Sequence, residues 1–304
     1  MSAAAPAPVA PPNDLAPDDL RLRPGRDGVS LSVDPKRAGW RYLSFDVFDA
    51  RERREFTAAG SEAAVVVLAG HDVAVEWHGA RWLLEGRSSP LEQLPWALWV
   101  PDAAGLSVAS GTSAVVAVAR APRSGRDGVA ADAILIRPAD VEVEIRGAGN
   151  ASRQINHIIK PEFPADRLLV VEVLTPSGNW SSWPPHKHDV DDMPVEAVLE
   201  EVYCYQFRRP EAWAVQRVYR RPGTPAAEAS GPRDGLFAVR HGEVVLVSDG
   251  YHPFTATHGD DAYYLNALAG DRRTMACSFD PDLDGVRKDW ATMAVDPRLP
   301  LVSR

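Results

Sequence analysis

The stretch Gly178-Asn179-Trp180-Ser181-Ser182-Trp183-Pro184-Pro185-His186-Lys187-His188-Asp189 places two histidines either side of one lysine. In an extended strand alternate side chains share a face, so His186 and His188 project together and Lys187 projects the other way. Two imidazoles on one face are a start for a divalent-metal site. Lys187, turned away from them, is expected to be an exposed charge. A carboxylate or imidazole from a neighbouring strand would extend the donor set. Glu201 opens Glu-Val-Tyr-Cys-Tyr-Gln-Phe, whose alternation sets Glu201, Tyr203, Tyr205 and Phe207 on one face and Glu200 and Cys204 on the other. His252 follows the apolar run Val244–Val247 and an Asp249-Gly250 turn, just inside the next expected strand.

Other polar residues read as ordinary. His157, His241 and His258 have no such partners, Asp189-Val190-Asp191-Asp192 reads as a solvated loop, and Cys204 as a buried structural thiol. No Gly-x-Gly-x-x-Gly follows a strand, and neither a Walker loop nor a Gly-x-Ser-x-Gly elbow is present, which argues against a nucleotide cofactor or a serine hydrolase.

The elements that must position these residues are strands. Short apolar runs rich in Val, Ile and aromatics are separated by Gly, Pro and Asp: Tyr42–Phe48, Ala63–Leu68, Val73–Trp77, Leu94–Val100, Ser113–Ala119, Ile134–Ile136 and Val141–Ile145 in the first half. Leu168–Leu174, Glu201–Phe207, Trp213–Tyr219, Phe237–Val239, Val244–Val247 and Tyr263–Ala267 follow in the second. Arg220–Gly235 reads as a mobile loop beside a site mouth, and Asp284–Met293 as the best late helical candidate. The pattern predicts an all-β chain with a duplicated barrel. Its expected divisions are an Ala/Pro-rich disordered tail at 1–20, a first domain at 21–146 and a second at 147–304.

Composition narrows the function. The 304 residues include 42 acidic and 33 basic side chains, a formal charge of −9, which argues against a nucleic-acid partner. No apolar run is long enough to span a bilayer. Two cysteines and the absence of a secretory pattern at the start favour a cytoplasmic location.

Ser177-Gly-Asn-Trp-Ser-Ser-Trp-Pro-Pro-His-Lys-His-Asp, Leu199-Glu-Glu-Val-Tyr and Val244-Val-Leu-Val-Ser-Asp-Gly-Tyr-His-Pro resemble the 5-deoxy-glucuronate isomerase family of myo-inositol catabolism, within the cupins. Phe237-Ala-Val and Tyr263-Tyr-Leu-Asn also match. The resemblance is dense over 150–281 and looser over 25–146. It implies a bicupin, two jelly-roll barrels in one chain, with one divalent metal in the second barrel on His186, His188, Glu201 and His252. The first barrel would be metal-free. Glu201 stands 13 residues after His188, whereas the general cupin spacing leaves Glu196 in play. Zn, Mn, Fe and Ni all suit such ligands.

The implied reaction converts 5-deoxy-D-glucuronate to 2-deoxy-5-keto-D-gluconate. Tyr203, Tyr205 and Glu201 are the candidates for moving the proton. Arg153, Arg217 and Arg240 are the candidates for clamping the substrate carboxylate. Competing readings are a metal-dependent oxygenase, the related keto-uronate isomerase of pectin degradation, and a sugar-binding cupin without catalysis. Exposed barrel edges leave a homo-oligomer open.

Overall fold

The structure, a computed structural model, describes residues 15–303. Its strands form two units with the same antiparallel plan. In the first, the main sheet runs Ile134–Ile136, Ala97–Val100, Ser61–Trp77, Val115–Pro122, Ser44–Asp49, Leu31–Val33. In the second it runs Arg21–Leu22, Val244–Val247, Glu200–Phe207, Ala262–Ala269, Leu168–Thr175, Arg153–Ile159, Glu142–Arg146. In each, the strand beginning with Ser61 or Glu200 lies between the two that follow it in this set. The two-unit β frame expected from the sequence is therefore present as a repeated strand order.

Ala63–Leu68 and Val73–Trp77, expected as two strands, are one strand, Ser61–Trp77. Gly70 lets it continue: its φ is +100°, and a Cβ there would lie 2.5 Å from the Ala114 Cα. Beyond this point the strand turns into a second sheet, pairing with Ala80–Arg87 and Leu106–Ser110. The second unit's other sheet orders Trp180–Ser181, Phe254–Ala256, Trp213–Tyr219 and Asp234–Arg240.

Several contacts cross the edges of the expected divisions. Pro17–Leu20 forms a 3-10 turn with Leu20 fully buried, and Arg21–Leu22 pairs with Val244 and Val245 of the second unit. The rest of the expected tail, 1–14, lies outside the described residues. A cut at 146/147 separates two strands of one pairing, since Glu142–Arg146 is antiparallel to Arg153–Ile159. One hydrophobic core runs across both units, joining Phe45, Leu68 and Trp99 to Leu168, Tyr203 and Val245. A buried ion pair between Arg87 and Glu172, shared with Tyr263, crosses the same boundary.

Arg220–Gly235 is not loop throughout. It holds a short helix, Pro225–Ser230, capped by Thr224. Its neighbourhood, around Arg217, Arg220 and Arg233, is a surface recess separate from the cavity described below. The late helical candidate is a 3-10 segment, Asp284–Thr292. Among the described residues no helix is long and apolar enough to cross a membrane.

Candidate metal centre

Three side chains of the second unit converge in its interior. His188, Glu201 and His252 are buried, and each offers a donor atom within 4.8 Å of the other two. His188 Nε2 lies 2.9 Å from Glu201 Oε2, and His252 Nε2 lies 3.5 Å from the same oxygen. Glu201 is on the strand Glu200–Phe207, paired with Val247 on one side and Leu268 on the other. His252 comes back over it on the loop after Val244–Val247. That loop is fixed where the Tyr219 and Tyr251 backbones exchange hydrogen bonds of 2.9 and 2.8 Å. His252 precedes the next strand, which begins at Phe254, rather than lying inside it.

The other ring nitrogens decide what the centre can hold. His188 Nδ1 is 2.9 Å from the Leu199 carbonyl, and His252 Nδ1 is 3.0 Å from the Gly250 carbonyl. A carbonyl only accepts, so each Nδ1 carries the proton; His188 Nε2 then shares a proton with the Glu201 carboxylate, while the neutral His252 ring turns a bare Nε2 lone pair toward the same oxygen. His252 Nε2 is buried without a hydrogen-bond partner. A buried nitrogen lone pair facing a carboxylate is unfavourable until a cation joins them, and backbone carbonyls on Nδ1 are the usual support of metal-bound imidazoles. The donor set therefore fits a metal ion.

Electrostatics agree with a site in need of positive charge. Burial, with His186 and His188 alongside, holds His252 well below the ordinary imidazole range. Burial also acts downward on His188, but the adjacent Glu201 carboxylate outweighs it and raises the pKa. Glu201 itself is raised by burial, with His188 opposing.

His186 stands beside this group, outside the three whose donor atoms lie within 4.8 Å of one another. Its ring centroid is 4.6 Å from His252 and 6.3 Å from His188, and its backbone pairs with Phe279. Burial, then the charges of His188 and Arg153, lowers its pKa to about 3.

A cavity of about 550 Å³ opens beside the triad, lined by His186, His188, Glu201, Trp183, Phe279, Trp290 and three arginines, Arg146, Arg153 and Arg287. Arg153 is buried. Among the described residues its guanidinium bonds only backbone carbonyls, Ala151 at 3.1 Å and Trp183 at 3.3 Å, and burial lowers its pKa to about 10. Arg146 is held by Glu144 through two 2.8 Å bonds, and Arg287 by Asp284 at 3.3 Å.

Several expected residues fall elsewhere. Arg217 forms a two-bond pair with Asp234 on the surface, and Arg240 reaches the Glu211 carbonyl; neither lines the cavity. A strand pattern does not say which sheet borders the centre. Tyr203 and Tyr205 share the Glu201 face, yet both are buried behind the cavity wall. The Tyr203 hydroxyl bonds Ser182 at 2.9 Å, and that of Tyr205 donates to Gln216 at 3.0 Å. Burial raises both phenols well above their ordinary range.

Lys187 is not an exposed charge: it is 6% exposed and paired with Asp189 and Glu196. Asp189 is fully buried rather than solvated. Cys204 is buried on the opposite face, with burial pushing its thiol to about 12. Sequence reasoning missed Arg146 and Arg287. Nothing in the motif pointed to them, since one lies across a turn from Arg153 and the other on an irregular late segment.

Comparison with known proteins follows the same lines. The sequence profile described as the KduI/IolB family matches residues 20–286. The chain is 40% identical over 269 residues to a 5-deoxy-glucuronate isomerase of Geobacillus kaustophilus, covering 86% of this chain and 92% of that protein. It is 39% identical to the enzyme of the same name from Geobacillus thermodenitrificans, covering 86% and 93%. It is also similar to the crystal structure of an IolB-like protein from Salmonella typhimurium, with TM-score 0.76 and 33% identity over 84% of this chain and 94% of that one. Oxalate decarboxylase of Lactobacillus farciminis shares the fold alone, with TM-score 0.56 and 10% identity over 92% and 90%.

Proposed function

The chain belongs to the KduI/IolB family, and from that premise we infer that it is a 5-deoxy-glucuronate isomerase, an aldose–ketose isomerase acting on a sugar acid. The observation that carries the reading is the convergence of a cation-seeking triad and an arginine without a carboxylate partner on one cavity.

In this reading His188, Glu201 and His252 hold one divalent ion, and His186, against His252, is the fourth donor. Such an ion supplies fixed positive charge against the anion that develops when a C–H beside a carbonyl is ionised. Arg153 takes the substrate carboxylate, for which its planar fork is suited. Its hydrogen bonds go to carbonyls rather than to a carboxylate, so an anionic ligand meets a charge that the nearby Glu144 offsets only in part. Arg146 and Arg287 add positive charge to the same wall and favour a uronate over a neutral sugar. Trp183, Phe279 and Trp290 cover the cavity with ring surface and keep water from the reacting carbons.

Of the three candidates for moving the proton between C1 and C2, Glu201 borders the cavity, whereas the hydroxyls of Tyr203 and Tyr205 are engaged away from it. Raised phenol pKa values also make both tyrosines poor bases at neutral pH. A reducing, cytoplasmic setting belongs to this reading, since Cys204 and Cys277 are both free thiols. The test is isomerase turnover of 5-deoxy-glucuronate under anaerobic conditions, with and without a chelator. Turnover that needs oxygen, or no turnover with metal supplied, overturns the reading.

A further inference from the structure

The face of the His186–His188 segment opposite the imidazoles carries a buried charge cluster that the reaction does not use directly. Lys187 Nζ donates to Asp189 Oδ1 at 2.6 Å and to both Glu196 oxygens at 2.8 and 2.9 Å. Two carboxylates against one ammonium leave an excess negative charge in the interior, and backbone amides complete its solvation. Glu196 Oε1 accepts from the amides of Asp189 and Val190 at 2.7 and 2.9 Å, and Asp189 Oδ2 accepts from the Gly250 amide at 2.9 Å.

These bonds join the two histidine-bearing segments. Asp189 adjoins His188, and Gly250 supplies the carbonyl that accepts His252 Nδ1 at 3.0 Å. Gly250 sits at φ +82°, where a Cβ would lie 2.5 Å from the Tyr219 carbonyl oxygen, so glycine is the residue that fits this turn. On the other side Leu199 closes the loop, its amide donating to the His188 carbonyl at 3.0 Å and its own carbonyl receiving His188 Nδ1 at 2.9 Å. Residues 189–199 are thus a turn folded around the Lys187 ammonium. Removing Lys187 would leave two buried carboxylates without their cation, a cost relieved by opening that turn.

We propose that Lys187, with Asp189 and Glu196, is a positioning residue that aligns His188 and His252 on a shared metal ion. The proposal rests on the metal reading above. It separates the two roles in the His-Lys-His motif: imidazoles toward the ion, ammonium toward the loop that brings the distant histidine back.

The test uses the full chain loaded with Co(II), read by chelator competition and by the visible ligand-field spectrum, a signature that a merely structural role would not move. Lys187→Met is expected to weaken cobalt binding by roughly 10–100-fold, as for other outer-shell partners of metal ligands, and to change the spectrum. Lys187→Arg is expected to recover part of both. Asp189→Asn, which keeps an acceptor for the Gly250 amide but loses the charge, is expected to fall between. Wild-type affinity and spectrum in Lys187→Met overturn the proposal, and where that variant does not fold, the same result in Asp189→Asn overturns it. A wild-type chain that binds no cobalt overturns the metal reading itself.

Discussion

Glu62 and Glu200 make the same contact in opposite directions across the boundary between the two β units. The Glu200 carboxylate accepts the amides of Arg41, Tyr42 and Leu43 of the first unit, at 2.6, 2.9 and 2.8 Å. The Glu62 carboxylate accepts those of Asp166, Arg167 and Leu168 of the second. Each glutamate lies at the start of the third strand of its unit's order, and each grips the chain entering the partner unit's fifth, Ser44–Asp49 or Leu168–Thr175. The register extends the equivalence by one residue: Glu201 pairs with Val247 as Ala63 pairs with Val100. The first unit therefore has Ala63 where the second has a donor to the triad, and the shared strand order carries chemistry on one side only.

Replacing Glu200 by Ala leaves three amide donors at the boundary without an acceptor, and Glu62→Ala does the same with the Trp99 indole N–H in addition. Each variant is expected to lose about 2–4 kcal/mol of stability, from the cost of unpaired buried donors, measured by urea unfolding. Only Glu200→Ala should also lower kcat/KM, because its neighbour on the strand is Glu201. Equal activity losses in the two variants would contradict this division.

How far the site was legible follows from what a sequence pattern encodes. Strand alternation gives facing, so His188, Glu201 and the burial of Cys204 behind them could be read directly. Alternation says nothing of what covers the reverse face. Lys187 reads as solvent-facing for that reason, although residues 189–199 fold over it and pair it with Asp189 and Glu196. Glu196, which a shorter ligand spacing would have selected, is spent on that same ammonium. The arginines failed differently. Arg217 and Arg240 lie on real strands of the second unit, but in the sheet whose exposed charges meet other surface groups. Arg146 is the last residue of the strand Glu142–Arg146, one place past the expected end at Ile145, and Arg287 lies on a 3-10 segment that has no strand periodicity to read.

Glu144 makes stability sensitive to acid. Burial acts to raise its pKa, but hydrogen bonds from Arg146 and His157, with their charges, bring it down to about 2. A carboxylate with a depressed folded value stabilises the protein above its unfolded pKa and loses that contribution as pH falls through the folded one. The expected loss of Tm therefore lies between about pH 4.5 and pH 2. Glu144→Gln should show a smaller drop over this window than the wild type in parallel thermal melts, and an identical drop would remove Glu144 from the account.

Metal dependence should divide the histidines. His188→Ala and His252→Ala each delete a member of the buried triad and are expected to leave the purified protein with little bound metal and kcat/KM lower by at least ~100-fold. His186→Ala, at the edge of the group, is expected to weaken metal binding less than either. Metal analysis of the three purified variants checks the order, and a His188→Ala protein with full metal content would refute the assignment.

Arg153 is expected to decide affinity for the sugar acid. It is 6% exposed, bonded to carbonyls rather than a carboxylate, and its guanidinium lies 5.9 Å from the Trp290 ring at the cavity wall. With a pKa lowered to about 10 by burial it is still charged at neutral pH. Arg153→Lys keeps a charge but loses the planar fork, so kcat/KM for 5-deoxy-glucuronate should fall by roughly 10-fold or more, chiefly through KM. Arg287→Ala should have a smaller effect, because Asp284 already offsets part of its charge. Arg217→Ala and Arg240→Ala should leave both constants near the wild-type values, since neither side chain reaches the cavity. Steady-state kinetics across the four variants separates the roles: an Arg217→Ala effect as large as that of Arg153→Lys would move the carboxylate site to the surface recess beside Asp234.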